Sequence, residues 1–158
     1  MEADAERADP DETGGMLLGW DNPDMEEFVI AVVLGPGPGA DHRRKTFRPD
    51  AEWQQVELER LYLATDGKLT FLGDWHVHPA GGFGLSRRDR KTMAKVAVTE
   101  DARCPHPITV LLAGTPNSSY RRGAWVWSPR PWPRIYGQVI EVPLYVWDTS
   151  SADRFWEL

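Results

Sequence analysis

The chain has 158 residues, 41% of them hydrophobic and 27% charged, which suits one soluble globular domain with a core of its own. No long uncharged apolar run marks a membrane span, and the acidic beginning is unlike a secretory signal. A formal net charge of −6 argues against nucleic-acid binding, because a duplex partner needs a basic face to neutralise phosphate.

Six acids fall within the first 12 positions against Arg7 alone, so the rest of the chain is close to neutral. Residues 1–11 show no apolar periodicity and read as an acidic, mobile tail. Glu12 stands at the mouth of a strand that begins with Met16, Leu17 and Leu18, entered sharply through Gly14 and Gly15. On these residues alone Glu12 is a solvated acid. Residues 28–34, Phe-Val-Ile-Ala-Val-Val-Leu, predict a second strand. It ends in Gly35-Pro36-Gly37-Pro38-Gly39, a loop without the lysine that a phosphate-binding loop requires. Asp50 is a predicted N-cap for a helix through about Leu63, with Trp53, Val56, Leu61 and Ala64 facing inward and Gly67 stopping it.

A strand over residues 69–78 follows, and its end carries His76-Val77-His78-Pro79. Side chains two apart on a strand share a face, so both imidazoles can address one atom. Pro79 ends the ladder because it has no N–H to donate. A glycine-rich loop leads to Ser86, a predicted N-cap, with Asp89 in the first turn of a helix in which Met93, Val96 and Ala97 recur at helical spacing. Ser-x-x-Asp before such a run is in its simplest form a capping box, and His-x-His alone is often a polar strand end. Together they supply two imidazoles, one carboxylate and an open fourth place, the ligand set of a catalytic zinc site.

Residues 107–114 form a continuous apolar run and predict a central strand. Cys104 is the single cysteine, which excludes an internal disulfide and fits a reducing, cytoplasmic compartment. Cys104-Pro105-His106 lacks a second cysteine pair and reads as a loop. From Asn117 onward the pattern is of hairpins, with strands around Trp125–Trp127 and over 138–147 separated by a proline-rich stretch at 128–133. Trp125 and Trp127 are assigned to packing rather than to stacking on bases. Alternating helices and strands with antiparallel hairpins imply one α/β or α+β domain, a mixed sheet flanked by helices.

Glu12, His76-x-His78-Pro79 and Ser86-x-x-Asp89 resemble the JAMM signature of the JAB/MPN-type zinc metalloproteases, in particular compact prokaryotic JAB proteins. Glu12-Thr13-Gly14-Gly15 with Leu18-Gly19, the glycine–proline loop and Gly73-Asp74-Trp75 are similar too, so the likeness spans about residues 11–114. It implies a single JAB/MPN-type domain over 12–148, with a deaminase-like core and a C-terminal tail at 149–158. It further implies one catalytic zinc ion on His76, His78 and Asp89, with Glu12 as general base and Ser86 as oxyanion donor. The implied reaction is isopeptidase or protease cleavage after the C-terminal glycine of a ubiquitin-like protein, whose activating and conjugating enzymes are then expected partners.

Gly81, Gly82 and Gly84 leave room for an extended substrate backbone. Arg87, Arg88, Arg90 and Lys91 can meet an acidic partner face, although a solvated helix face is the simpler reading. Processing of a sulfur-carrier protein would use the same site. A non-catalytic MPN scaffold would lack ligands that are all present here. A zinc nucleobase deaminase would need His-x-Glu and Pro-Cys-x-x-Cys, which are absent. The stretch before Glu12 is shorter than the strand and helix such proteins carry there, so the resemblance leaves the support of Glu12 unassigned.

Overall fold

The computed structural model describes residues 1–22, 26–79, 81–129 and 137–147. Among them six strands form one mixed sheet: β1 (Gly14–Asn22), β2 (Glu27–Val33), β5 (Thr70–Pro79), β6 (Ile108–Thr115), β7 (Ser118–Pro129) and β8 (Gly137–Val142). Their spatial order is β2-β1-β5-β6-β7-β8. All neighbours run antiparallel except β5 and β6, which are parallel and joined through α3 (Arg87–Val98). Parallel neighbours need such a crossover, so the strand that carries the histidines is followed at once by the helix that carries Asp89. The fold is the mixed α+β sheet that the sequence predicts.

Alternation along β5 sorts its side chains between two cores. Trp75 and Val77 join Leu17, Val110, Leu112 and Val126 on one face. Leu111 and Trp125 join Leu85 and Met93 on the other, under α3. His76 and His78, out of phase with Trp75 and Val77, therefore emerge on the α3 side. The central β6 has an unbroken buried run from Ile108 to Ala113, as a strand covered on both faces requires. No helix among the described residues is long and apolar enough to cross a membrane.

Four local readings change. Residues 1–11, expected to form a mobile tail, instead hold α1 (Glu2–Ala8). Ala5 is 2% exposed and packs in the Leu17 cluster, and Arg122 of β7 donates to the Glu2 carboxylate. One buried alanine anchors this helix, too weak a pattern to register as amphipathic. Residues 41–48 form a two-stranded hairpin, β3 (Asp41–Arg43) and β4 (Thr46–Arg48), which the charged sequence does not announce.

The third change concerns α2 (Ala51–Ala64), which has the predicted Asp50 cap and ends before Gly67 at φ +79°. Its expected inward face holds only in part: Trp53 and Leu61 are half-buried, but Val56 is 57% exposed and Ala64 is exposed. The buried residue is Gln54, whose Nε2 donates to the Gly35 carbonyl at 2.8 Å. The helix is seated on the carbonyls of the glycine–proline loop, so a polar contact wins over the apolar period. In the C-terminal part β8 ends at Val142, and 143–147 have no regular structure although a strand was expected through 147. Part of the proline-rich stretch and the expected tail at 149–158 lie outside the described residues.

Candidate metal centre

The end of β5 and the start of α3 meet at one point. His76 Nε2 lies 3.7 Å, and His78 Nε2 3.8 Å, from the same Asp89 oxygen, Oδ2. One donor atom from each residue lies within 4.8 Å of the other two. Ligand atoms at ordinary bond lengths around a tetrahedral ion sit about 3.4 Å apart, so the spacing needs little contraction to close on a metal. His76 Nε2 is also a buried atom without a hydrogen-bond partner, since 3.7 Å exceeds hydrogen-bonding distance. An orphaned imidazole nitrogen facing a carboxylate and a second imidazole fits a metal ligand. The three residues are close enough to hold one ion.

The capping box is present as well. Ser86 Oγ accepts from the Arg88 and Asp89 N–H groups, and the Ser86 N–H donates to Asp89 Oδ2 at 2.6 Å. Cap and ligand are one arrangement rather than alternatives: the bond that starts the helix also aims the carboxylate at the histidines. Because the serine oxygen accepts both bonds, its own O–H proton is free to be donated elsewhere. Burial pushes the Asp89 carboxyl upward, but His76 and the Ser86 hydrogen bonds outweigh it and hold the group well below the usual carboxylate range.

Two neighbours stand behind the imidazoles: Gly82, which the sequence offered only as room for a substrate backbone, and Asp74, to which it gave no role. His78 Nδ1 is 3.3 Å from the Gly82 carbonyl oxygen. A carbonyl only accepts, so Nδ1 carries the proton and Nε2 presents its lone pair to the site. Asp74 Oδ1 approaches His76 Nδ1 to 3.6 Å from the same face of β5. Burial alone would lower the pKa of His76, but Asp74 and Asp89 reverse this and raise it to about 9. A metal entering the site would displace that proton. The spacing Asp74-x-His76 is the signal that would have shown Asp74.

Glu12 arrives by register. β1 pairs with β5 so that Gly14 faces His76, and the Val77 N–H donates to the Thr13 carbonyl at 2.9 Å. Two residues further along, antiparallel pairing sets Glu12 opposite His78. Gly14 must be glycine, since a Cβ there would come within 2.2 Å of the Trp75 carbonyl. The backbone of Glu12 is held on both sides by the β3–β4 hairpin: its N–H donates to Arg43 O at 2.9 Å, and its carbonyl accepts from His42 Nδ1 at 3.2 Å. Burial raises the Glu12 carboxyl, opposed by the nearby His78 and His76 and reinforced by Asp89.

Gly81, Gly82 and Gly84 border the site on the loop from His78 to Ser86, whereas Cys104 is buried away from it, with its thiol facing the Leu72 carbonyl. A cavity of about 420 Å³ opens between α1, the glycine–proline loop and Trp53, and none of the three candidate ligands lines it.

The Prok-JAB family model, prokaryotic homologs of the JAB domain, matches residues 1–127. A protein of Sinorhizobium fredii (strain NBRC 101917 / NGR234) named "Probable metalloprotease y4qB" is 35% identical over 84% of this chain and 76% of its own. The "CD-NTase/cGAS isopeptidase" of Enterobacter hormaechei subsp. hoffmannii (strain UCI 50) is 29% identical over 82% of this chain and 70% of its own. In fold, the chain is similar to the solution structure of protein DSY2949 from Desulfitobacterium hafniense. The TM-score is 0.52 at 19% identity, covering 89% of this chain and 81% of that one.

Proposed function

The chain belongs to the Prok-JAB family, and from that premise we propose that it is a zinc-dependent isopeptidase that cleaves after the C-terminal glycine of a ubiquitin-like protein. The observation that carries this reading is the convergence of His76, His78 and Asp89 within 4.8 Å, beside a half-buried glutamate, Glu12, that is not one of the three. Two imidazoles and a carboxylate with an open place suit zinc among the common metals. The name of the Enterobacter relative supports an isopeptide substrate.

His76, His78 and Asp89 would hold the ion, which when bound supplies Lewis acidity toward the scissile carbonyl and lowers the pKa of a water. Glu12 takes the proton from the attacking water and delivers it to the leaving nitrogen as the C–N bond breaks. A carboxyl raised by partial burial is better matched to both transfers than an exposed glutamate. Ser86 donates its free O–H to the carbonyl oxygen as negative charge develops there. The products are the glycine carboxylate and a free amine.

The test uses a ubiquitin-like domain ending in Gly-Gly, linked either to a lysine side chain or to aminocoumarin. Cleavage after the second glycine, abolished by chelation and restored by zinc, is the expected result. Failure to cut any glycine-linked amine with zinc bound would overturn the reading. Cleavage of a linear fusion but not of the isopeptide would assign precursor processing instead.

The glycine loop sharpens this reading. A Cβ at Gly81 would come within 2.9 Å of His78 Cβ, so the fold itself requires that glycine. Gly82 and Gly84 have nothing within 4 Å of an added Cβ, and neither has a positive φ. No internal contact explains the missing side chains, which fits space kept for a substrate backbone. Gly84→Ala is therefore expected to leave the free protein as stable or up to about 1 kcal/mol more stable. At the same time kcat/KM should fall about tenfold or more. Melting and steady-state cleavage check this, and an unchanged kcat/KM would remove the loop from the groove.

A further inference from the structure

Between the candidate ligand His78 and the cap residue Ser86 the loop carries one large apolar side chain, Phe83. It does not face the metal centre but leaves the loop for β7, forty residues away in sequence. There Arg121, Gly123 and Trp125 occupy alternate positions and share a face. The Phe83 ring lies 5.6 Å from the Trp125 ring, centre to centre and tilted by 56°. The Arg121 guanidinium carbon sits 4.1 Å above the Phe83 ring centre. Gly123 is the notch between them: a Cβ there would come within 2.7 Å of Phe83 Cζ and 2.6 Å of Trp125. The ring is thus bounded by an indole, a guanidinium and bare backbone, a seat that exists only because position 123 has no side chain.

The residue before Phe83 is Gly82, whose carbonyl meets His78 Nδ1. Gly82 has no side-chain anchor of its own, so its carbonyl is held in place from its neighbours. On one side Gly81 N–H donates to the His78 carbonyl at 3.2 Å, and on the other stands the docked ring.

We propose that Phe83, seated over Gly123 between Arg121 and Trp125, is a positioning residue that holds the Gly82 carbonyl against His78 and so sets the tautomer and aim of that imidazole. The proposal rests on the metal-site reading. Groups behind a ligand commonly change metal affinity by about 10–100-fold when removed.

The experiment combines Phe83→Ala, Gly123→Ala, the double variant and Phe83→Tyr. Zinc affinity is measured by chelator competition, and the His78 ring nitrogens are followed by NMR in the metal-free protein. Phe83→Ala empties the seat and Gly123→Ala blocks it, so each should weaken zinc about tenfold or more. The double variant should be no worse than the weaker single, because both break one linkage. Phe83→Tyr, which keeps the ring, should bind as wild type does. Metal-free wild type should show His78 protonated at Nδ1, and both alanine variants should lose that signature while remaining folded by circular dichroism.

Affinities within twofold of wild type for both single variants, or losses that add in the double variant, would overturn the proposal. A lower melting temperature with an unchanged His78 signature would do the same, since it would leave Phe83 a purely structural role. Should wild type itself bind no zinc, the metal-site reading fails, and the His78 signature still decides what Phe83 does.

Discussion

Glu12→Gln is expected to lower kcat by about 10²–10⁴-fold, the usual contribution of a general base, while metal content stays at the wild-type level. Glutamine keeps the volume and the hydrogen-bonding capacity of the side chain but cannot take a proton at neutral pH. Glu12 is not one of the three clustered donors, and its backbone is fixed by Arg43, His42 and the β1–β5 register rather than by a metal. The variant therefore separates proton transfer from metal binding. A second readout follows from the raised pKa of Glu12. A carboxyl whose folded pKa lies above its unfolded value contributes stability at low pH, lost as pH rises through the folded pKa. At neutral pH the ionised glutamate is thus a burden on the metal-free fold, and Glu12→Gln should melt no lower than wild type. Loss of activity without loss of stability marks a group kept for chemistry. Full activity in the glutamine variant would assign the base elsewhere.

Asp89→Ala should have the other large effect, because one oxygen has two roles. Asp89 Oδ2 accepts from the Ser86 N–H and stands between the two imidazoles. Removing it deletes a ligand and opens the capping box together. Activity should become undetectable, metal should be lost, and the metal-free protein should be destabilised by about 1 kcal/mol, the ordinary value of a cap. Asp89→Asn separates the effects. Its amide oxygen can still accept from Ser86, while the lost charge removes both the attraction to His76 and a strong ligand. The native carboxyl is held low, so its contribution is present at neutral pH and disappears as pH falls through its depressed value. Metal-free stability should therefore run wild type, then Asn, then Ala, with neither variant retaining metal. Chemical denaturation and metal analysis on the same samples check the order, and an Asp89→Asn protein that kept its metal would remove Asp89 from the ligand set.

The trio was legible in sequence because its geometry is local. Two histidines at strand spacing and an acid in the first turn of the next helix are short-range facts, and the parallel β5–α3–β6 crossover brings them together. The same holds for the Asp50 and Ser86 caps, each satisfied within three residues. What stayed hidden depends on partners distant in the chain. The acidic composition of α1 conceals a helix whose hold on the core is Ala5 and whose outer contact is Arg122. The β3–β4 hairpin steadies Glu12 through backbone bonds and a histidine, neither of which leaves an apolar period. On α2 the pattern pointed to Val56 and Ala64, but the helix docks on loop carbonyls, with Gln54 Nε2 donating to Gly35 and the Asp50 N–H to Pro36. Phe83 could not be placed without knowing that Gly123 lies across from the loop.

The metal claim is tested most directly by counting metal per chain in purified wild type beside His78→Ala. About one zinc per chain in wild type, absent from His78→Ala while the variant remains folded, is the predicted result. Wild-type protein that carries no metal after zinc supplementation, or a variant that retains it, would contradict the account.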